Sequence, residues 1–248
     1  MKRNKKIALS GLAAFVVAIA AIMGPIAARM PFAQAERVSD GLLTGVDAGG
    51  SFAWIIPTTS GVVLIDAGWD AEATQIRDEL GERKVLAVFL THAHFDHTGG
   101  LAAFPDAPVY VGLGEEALLM GDTMPQGWMA RISTKMMAPP PPTGANVIVT
   151  TDGQNIEIDG ITVRAIHTPG HTPGSAMYIW NNTLFSGDSI VGRGDHVNEI
   201  PKAMTDDYDQ IHSSIAKVMQ YKFDDMADGH VGLHKGIRDQ VKAYVAGQ

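Results

Sequence analysis

Cysteine is absent from the 248-residue sequence. Disulfide bonds and thiolate metal ligands are therefore excluded, and any metal ion must be held by histidine and carboxylate side chains. A lipid-modified lipoprotein is excluded as well, because the lipid is attached to an N-terminal cysteine.

Basic side chains are scarce after residue 35. The first 35 residues hold five of the 19 lysine and arginine side chains and no acid, which leaves 14 basic against 27 acidic side chains, a balance of −13. An acidic surface repels the phosphate backbone of nucleic acids. We therefore expect a small-molecule substrate and no nucleic-acid partner.

Long uncharged apolar runs are missing except at the start of the chain. Residues 7–28 carry no charge and follow four basic side chains within the first six residues. This length suits a transmembrane helix, whereas the later Ala33-Gln34-Ala35 is typical of a signal-peptide cleavage site. Residues 1–35 are thus predicted to be a cleaved export signal or an N-terminal membrane anchor. Either places residues 36–248 outside the cytoplasm, in the periplasm or secreted, or associated with the inner membrane.

Short apolar segments separated by glycines predict alternating strands and helices in the rest of the chain. Residues 85–90 are predicted to form a buried strand, and residues 70–80 and 206–221 to form amphipathic helices, the first capped by Asp70. Asp152-Gly153 and Asp159-Gly160 are predicted hairpin turns. This order of elements is compatible with an α/β domain in which two sheets pack together and helices lie outside.

The segment 121–146 differs in character. It contains five methionine and tryptophan side chains, among them Trp128, together with the proline run 139–142. We predict no regular helix or strand here. Two interpretations remain open: a variable surface connection, or a lid whose tryptophan and methionine side chains contact an apolar substrate.

The sequence His92-Ala93-His94-Phe95-Asp96-His97 places three histidines and one aspartate within six residues, directly after the strand predicted at residues 85–90. From the composition, this pattern is expected by chance about once in a thousand such chains. Imidazole and carboxylate groups are common ligands of divalent metal ions. The cluster therefore predicts a metal site.

Three later segments also place a histidine or aspartate beside glycine at the end of a predicted strand. They are Pro169-Gly170-His171, Ser186-Gly187-Asp188 and Asp228-Gly229-His230. Glycine and proline permit sharp turns that direct a side chain across the edge of a sheet.

Together with Asp66, which ends another predicted strand, these segments resemble the five motifs of the metallo-β-lactamase superfamily of hydrolases, from about residue 41 to the C-terminus. The resemblance implies an αββα sandwich of two mixed sheets with flanking helices and a two-metal site at one edge. It implies the following roles: His92, His94 and His171 bind one ion, Asp96, His97 and His230 bind the second, Asp188 bridges both, and Asp66 orients the ligand loop without binding metal.

The implied ligand set compensates about half the charge of two divalent ions, for which Zn²⁺ is the first expectation, with Fe or Mn as alternatives. The resemblance implies that two such ions convert a bridging water to hydroxide, which attacks an ester, thioester, lactone or related acyl bond. Asp96 is then the candidate for relaying a proton.

Arg193 and His196 follow Asp188 in a glycine-containing loop, and together with Trp128 they are the candidate substrate contacts. Other functions remain open at this stage. Export suits a β-lactamase that hydrolyses β-lactam antibiotics, and the turn Gly170–Ser175 is similar to that of one β-lactamase subclass. A single iron held by two histidines and one aspartate would instead support a persulfide-type dioxygenase. A metal-binding module without catalysis is the last alternative.

Overall fold

Seven strands form the first sheet of the computed structural model, which describes residues 36–248. In spatial order they are β1 (Arg37–Ser39), β2 (Thr44–Asp47), β3 (Phe52–Pro57), β4 (Val62–Ile65), β5 (Val85–Phe89), β6 (Val109–Gly112) and β7 (Val147–Thr150). The strands from β1 to β4 pair antiparallel and those from β4 to β7 pair parallel, so the sheet is mixed.

Six strands form the second sheet, which is also mixed. They are β8 (Asn155–Ile158), β9 (Ile161–His167), β10 (Ala176–Trp180), β11 (Thr183–Gly187), β14 (Asp225–Asp228) and β15 (Leu233–His234). The pair β11 and β14 is parallel, and the other pairs are antiparallel. A separate hairpin consists of β12 (Val191–Arg193) and β13 (His196–Asn198).

Six α-helices and two short 3₁₀ helices lie between or after these strands within residues 36–248. They are α1 (Thr74–Leu80), α2 (Phe95–Thr98), α3 (Glu116–Leu119), α4 (Trp128–Met137), α5 (Tyr208–Val218) and α6 (Arg238–Ala246), with 3₁₀ turns at Gly99–Ala103 and Lys202–Met204.

The alternation of side chains along each strand distributes the apolar residues over three layers. The inner layer lies between the sheets and includes Phe89 from the first sheet and Phe185 from the second. On the outside of the first sheet, Leu64 packs with Ile76 of α1. On the outside of the second sheet, a further cluster contains Ile215 of α5 and Val241 of α6. This arrangement confirms the expected αββα sandwich.

Parallel pairing brings several chain turns to one edge of the sandwich. Because β4 and β5 are parallel, Asp66 and the loop from Thr91 leave the first sheet at the same edge. The parallel pair β11 and β14 does the same for Asp188 and His230 in the second sheet. The two sheets are joined at this edge by a hydrogen bond of 2.8 Å from the Ala176 amide to the Thr91 carbonyl.

Two local predictions differ from the structure. Helix α1 begins at Thr74 rather than at Asp70, although the Asp70 carboxylate accepts a hydrogen bond of 2.7 Å from the Thr74 amide, as a helix cap would. Asp159-Gly160 is a hairpin turn between β8 and β9, as predicted. Asp152-Gly153 is not, because it connects β7 to β8 and these strands belong to different sheets.

The prediction that residues 121–146 lack regular structure is wrong at α4. The ten residues Trp128–Met137 contain neither glycine nor proline, and their apolar side chains alternate with polar ones at helical spacing. The flanking prolines and Gly127 limit the helix without preventing it.

No helix within residues 36–248 is long and apolar enough to cross a membrane. The predicted export signal or anchor, residues 1–35, lies outside the described residues.

Candidate metal centre

The seven side chains predicted to bind metal lie together at the shared edge of the two sheets. Their ligand atoms form three groups within which all atoms lie within 4.8 Å of one another: His92, His94 and His171, then His92, His97 and Asp188, then Asp96, His97 and His230. We call the first of these groups the first metal position and the last the second metal position. Six of the seven side chains are buried, and Asp96 is 24% exposed.

Asp188 lies between the two metal positions. Its Oδ1 atom is 3.3 Å from Nε2 of His97, and its Oδ2 atom is 3.0 Å from Nε2 of His230. The same Oδ2 atom is 3.7 Å from Nε2 of His171, a member of the first metal position. One carboxylate thus lies within 3.7 Å of side chains from both positions and would be placed to contact ions at each of them.

The donor set fits divalent metal ions, because several of its buried atoms have no hydrogen-bond partner. These atoms are Nε2 of His92, His94 and His97, Nδ1 of His171 and Oδ1 of Asp188. A buried polar atom without a partner costs about 1–3 kcal/mol of folding free energy. Five such atoms in one place therefore indicate a ligand that satisfies them together. Nitrogen and carboxylate oxygen donors are those that Zn²⁺ and related ions prefer.

The outward ring nitrogens of three histidines are held by acceptors. Nδ1 of His97 lies 2.8 Å from Oδ2 of Asp66, and Nδ1 of His230 lies 2.8 Å from the Gly50 carbonyl. Nδ1 of His92 lies 3.0 Å from the Thr91 hydroxyl. A proton held on Nδ1 leaves Nε2 with a lone pair directed into the site, which is the form that binds metal.

Asp66, for which the family resemblance implies a supporting role, contacts the loop that carries the ligand candidates. Besides His97, its carboxylate accepts hydrogen bonds of 2.7 Å from both the amide and the hydroxyl of Thr91. The residue is buried and adopts a left-handed backbone conformation with φ of 61°. Its oxygens face the loop that carries the ligands, and they are occupied by that loop.

The pKa values of the histidines divide along the same line as the two metal positions. Burial lowers the pKa of His92, His94 and His171 below the ordinary value. Burial also acts on His97 and His230, but nearby carboxylates, Asp188 foremost, outweigh it and raise the pKa of both, that of His230 to about 9.

The Asp188 carboxyl shows the complementary effect. Burial raises its pKa, but His230 and His97 outweigh this and hold the pKa of Asp188 well below the ordinary value. The Asp188 carboxylate is therefore an anion surrounded by histidine side chains, which suits a site for cations.

Glu115 is part of the site and was not predicted. Its buried carboxylate accepts hydrogen bonds from the amide of Ala93 at 2.5 Å, the hydroxyl of Thr172 at 2.9 Å and the amide of Gly174 at 2.8 Å. Burial raises the pKa of Glu115 to about 7, against the effect of these hydrogen bonds. The sequence offers only a weak signal, an acid after a glycine at the end of a buried strand.

Asp228 was also missed, although it begins the predicted Asp228-Gly229-His230 segment. Its Oδ1 atom accepts hydrogen bonds from the amides of His230, Val231 and Gly232 at 3.0, 2.6 and 3.0 Å. Its Oδ2 atom lies 2.8 Å from Nε2 of His234. The carboxylate therefore shapes the turn that presents His230.

The three candidate substrate contacts lie outside the group of seven. Trp128 begins α4 and is 48% exposed. Arg193 is the last residue of β12, and His196 begins β13, exposed and with Nδ1 3.0 Å from the Asp195 carboxylate. The hairpin that carries Arg193 and His196 is joined to the site, because the amide of Gly192 donates a hydrogen bond of 2.9 Å to the Asp228 carboxylate.

Curated proteins similar to this chain include two fungal ones. The lactamase-like protein aptB of Emericella nidulans is 25% identical over 203 residues, 79% of this chain and 56% of that protein. The atrochrysone carboxyl ACP thioesterase of Aspergillus chevalieri is 28% identical over 165 residues, 64% of this chain and 46% of that protein. The chain spans about half the length of these curated relatives.

Solved structures with the same fold include a BLEG-1 B3 metallo-beta-lactamase, with 27% identity, a TM-score of 0.61 and coverage of 80% of this chain and 96% of that one. Another is TTHA1623 in a di-iron-bound form, with 27% identity, a TM-score of 0.57 and coverage of 75% of this chain and 89% of that one. The family model described as the metallo-beta-lactamase superfamily matches residues 46–242, the region that contains all seven converging side chains. By this match and by its fold, the chain belongs to the metallo-beta-lactamase superfamily of hydrolases.

Proposed function

We propose that this protein is an exported hydrolase that uses two divalent metal ions, Zn²⁺ in the first place, to cleave an ester, thioester, lactone or related acyl bond of a small molecule. The observation that carries the proposal is the placement of Asp188 between two groups of converging histidine and aspartate side chains, several of whose buried atoms have no hydrogen-bond partner. When bound, two such ions would acidify a water molecule and polarise the carbonyl group of the bond to be cleaved.

Asp96 is the residue to which we assign proton transfer. It is the most exposed of the seven, and its Oδ2 atom lies 3.7 Å from Nε2 of both His97 and His230. A carboxylate at the open side of the site can accept a proton and pass it to a departing alcohol or thiol. The buried Asp188, enclosed by histidines, cannot exchange protons with solvent as readily.

Helix α4 is tied at both ends to segments that carry metal-ligand candidates. At its start, the amide of Gly127 donates to the Asp206 carboxylate at 2.9 Å, and the amide of Asp206 donates to the His171 carbonyl at 3.0 Å. At its end, Nε1 of Trp69 donates to the Met137 carbonyl at 3.3 Å. The Trp69 ring also meets Phe95 of the ligand loop at 5.4 Å between centroids. These ties support the proposal that α4 is a lid beside the site.

The outer face of α4 supports a substrate with an apolar part. Trp128, Ile132 and Met136 recur at helical spacing and are 48%, 51% and 78% exposed. Three large apolar side chains on one exposed face indicate a binding surface. A fatty or aromatic acyl group on a thioester or ester would use it, and a carboxyl ACP thioesterase is among the relatives.

The test of the proposed activity is a substrate panel assayed with the purified full-length protein. The panel contains acyl thioesters, aryl esters, lactones, β-lactams and phosphate esters, and the proteins are wild type, Asp188→Ala and the matched control Asp78→Ala, an exposed residue of α1. We expect the first variant to lose at least about 100-fold in kcat/KM on the acyl substrates and the control to keep wild-type activity. Equal turnover by wild type and Asp188→Ala would show that the proposed site is wrong.

Metal analysis of the same preparations tests the cofactor. We expect close to two zinc ions for each wild-type chain and fewer for Asp188→Ala. One iron for each chain, with oxygen consumption on a persulfide, would instead favour the dioxygenase and contradict hydrolysis.

A β-lactamase is the second candidate, favoured by the similarity to the B3 metallo-beta-lactamase along 96% of that chain. The panel separates the two, because a β-lactamase would turn over β-lactams with a higher kcat/KM than any ester or thioester.

Export is proposed from the basic start, the uncharged residues 7–28 and Ala33-Gln34-Ala35. Cell fractionation and N-terminal sequencing test it. A mature chain that begins at Glu36 supports a cleaved signal, and a full-length chain in the membrane fraction supports an anchor with the domain outside. A full-length chain in the cytoplasm contradicts both.

A further inference from the structure

Glu115 connects the two loops that provide the first metal position. Its Oε1 atom accepts a hydrogen bond from the amide of Ala93, the residue between His92 and His94. Its Oε2 atom accepts one from the amide of Gly174, three residues after His171. The Thr172 hydroxyl lies 2.9 Å from both oxygens. A single buried carboxylate thus holds both sides of one metal position.

These two loops come from different sheets. His92 and His94 follow β5 of the first sheet, whereas His171 lies in the turn between β9 and β10 of the second sheet. Nδ1 of His94 and Nε2 of His171 are 3.0 Å apart, so a small shift of one sheet against the other would change the distance between these two side chains. A link from a third segment, between β6 and α3, opposes such a shift.

The backbone around Glu115 is built for close approach. A Cβ atom on Gly174 would lie 2.3 Å from the Glu115 amide nitrogen, and a Cβ atom on Gly112 would lie 2.1 Å from the Gly174 carbonyl oxygen. Only glycine fits at these two places, so the turn after His171 lies directly against the segment that carries Glu115.

A carboxylate is required at position 115 because the atoms that face it are donors. The two amides cannot accept a hydrogen bond, so the side chain must offer an acceptor oxygen to each of them. In glutamine, the NH₂ group would face either the Ala93 amide or the Gly174 amide, and one of the two links would be lost in each orientation. Glutamine would keep the size and shape of the side chain, but it would no longer link both loops.

The second metal position has different supports. His97 is held by Asp66, and the turn that carries His230 is shaped by Asp228. Neither contact involves Glu115. From this separation we infer that Glu115 is a positioning residue for the first metal position alone, through its links to the backbone beside His94 and His171. The inference rests on the proposed function in one respect, namely that the chain binds two metal ions.

The test is a titration of metal-free, full-length protein with Zn²⁺ in competition with a chromogenic chelator. The variants are Glu115→Gln and the matched control Glu116→Gln, which changes the adjacent acid in the same way. We expect two ions in wild type and in the control, with unchanged affinities. In Glu115→Gln we expect one ion to bind about 10- to 100-fold more weakly and the other as in wild type.

His171→Ala and His230→Ala backgrounds assign the affected position. Without His230 the first position remains, and Glu115→Gln should weaken the binding of its ion. Without His171 the second position remains, and Glu115→Gln should leave the binding of its ion unchanged. Equal weakening in both backgrounds, or none in either, would overturn the inference. If Glu115→Gln does not fold, Thr172→Val removes one link of the same carboxylate and is tested in the same two backgrounds. A wild-type protein that binds no metal would instead contradict the proposed function.

Discussion

Asp66 and His97 are joined by a hydrogen bond of 2.8 Å between Oδ2 and Nδ1, and both side chains are buried. The same carboxylate holds the amide and the hydroxyl of Thr91, and that hydroxyl also lies 3.0 Å from Nδ1 of His92. Asp66 therefore orients His97 directly and His92 through Thr91. Asp66, which directly follows β4, thus orients side chains of both metal positions.

We predict that Asp66→Asn weakens metal binding by about 10- to 100-fold at the second position and less at the first. The amide group would face either the Thr91 amide or the Nδ1 proton of His97, so one donor would lose its acceptor. Zinc titration of the metal-free variant measures this. Asp70→Asn is the control. The Asp70 carboxylate accepts hydrogen bonds from the amides of Glu72 and Thr74 at the start of α1, away from the ligand loop. Wild-type affinity at both positions in Asp66→Asn would refute the prediction.

We predict that Gly187→Ala is more destabilising than Gly194→Ala. Both glycines have positive φ, 51° and 65°, so both substitutions incur about 1–2 kcal/mol of backbone strain. A Cβ atom at 187 would also lie 2.4 Å from the Thr91 hydroxyl oxygen, whereas at 194 it would meet nothing within 4 Å. We expect about 1–3 kcal/mol of further loss for Gly187→Ala. Urea unfolding of the metal-free proteins measures the difference, and equal losses would count against a tight contact between Gly187 and Thr91.

We predict that Trp69→Phe raises KM for substrates with an apolar acyl group by about 2- to 12-fold and changes kcat little. The substitution keeps an aromatic ring beside Phe95 but removes the N–H group that donates to the Met137 carbonyl, and such a bond contributes about 0.5–1.5 kcal/mol. The C-terminal end of α4 should then be held less well. Trp180→Phe, on β10, is the control. A fall in kcat at constant KM would show that α4 does not act through substrate binding.

Glu199 joins the end of the β12–β13 hairpin to two helices. It accepts hydrogen bonds from the hydroxyls of Tyr208 in α5 and Tyr244 in α6, and Tyr244 also lies 3.1 Å from Nδ1 of His212. Burial raises the pKa of Glu199, but the two hydroxyls outweigh it, so the pKa lies below the ordinary value of 4.5.

From this lowered pKa we predict a pH-dependent stability difference between wild type and Glu199→Gln. A carboxyl whose pKa is lower in the folded state stabilises the protein above about pH 4.5, and this contribution is lost as the pH falls through the lowered pKa. Wild type should therefore be the more stable protein at about pH 7, and the difference should shrink towards about pH 3.5. Urea unfolding of the metal-free proteins across this range tests it, with the exposed Glu72→Gln as control. A difference that grows as the pH falls would contradict it.

Local patterns predicted much of the fold and most of the candidate ligands. The apolar run at residues 85–90, the helix at residues 206–221 and the turn at Asp159-Gly160 are all decided by neighbouring residues, and the structure contains β5, α5 and the hairpin β8–β9. The dense group His92–His97 could be recognised because its members are adjacent in sequence. For such features, periodicity and turn chemistry carry the information.

Other features depended on contacts between distant segments. Asp152-Gly153 has the sequence of a hairpin turn, yet it passes the chain from one sheet to the other, since the partners of β7 and β8 lie elsewhere. Glu115 is one acid among 27 in the sequence, and its role follows only from the meeting of two loops that are about 80 residues apart. The sequence by itself indicated which residues are candidate metal ligands. Only the tertiary structure decided which carboxylates hold them in place, because hydrogen bonds between segments from different sheets have no local pattern in the sequence.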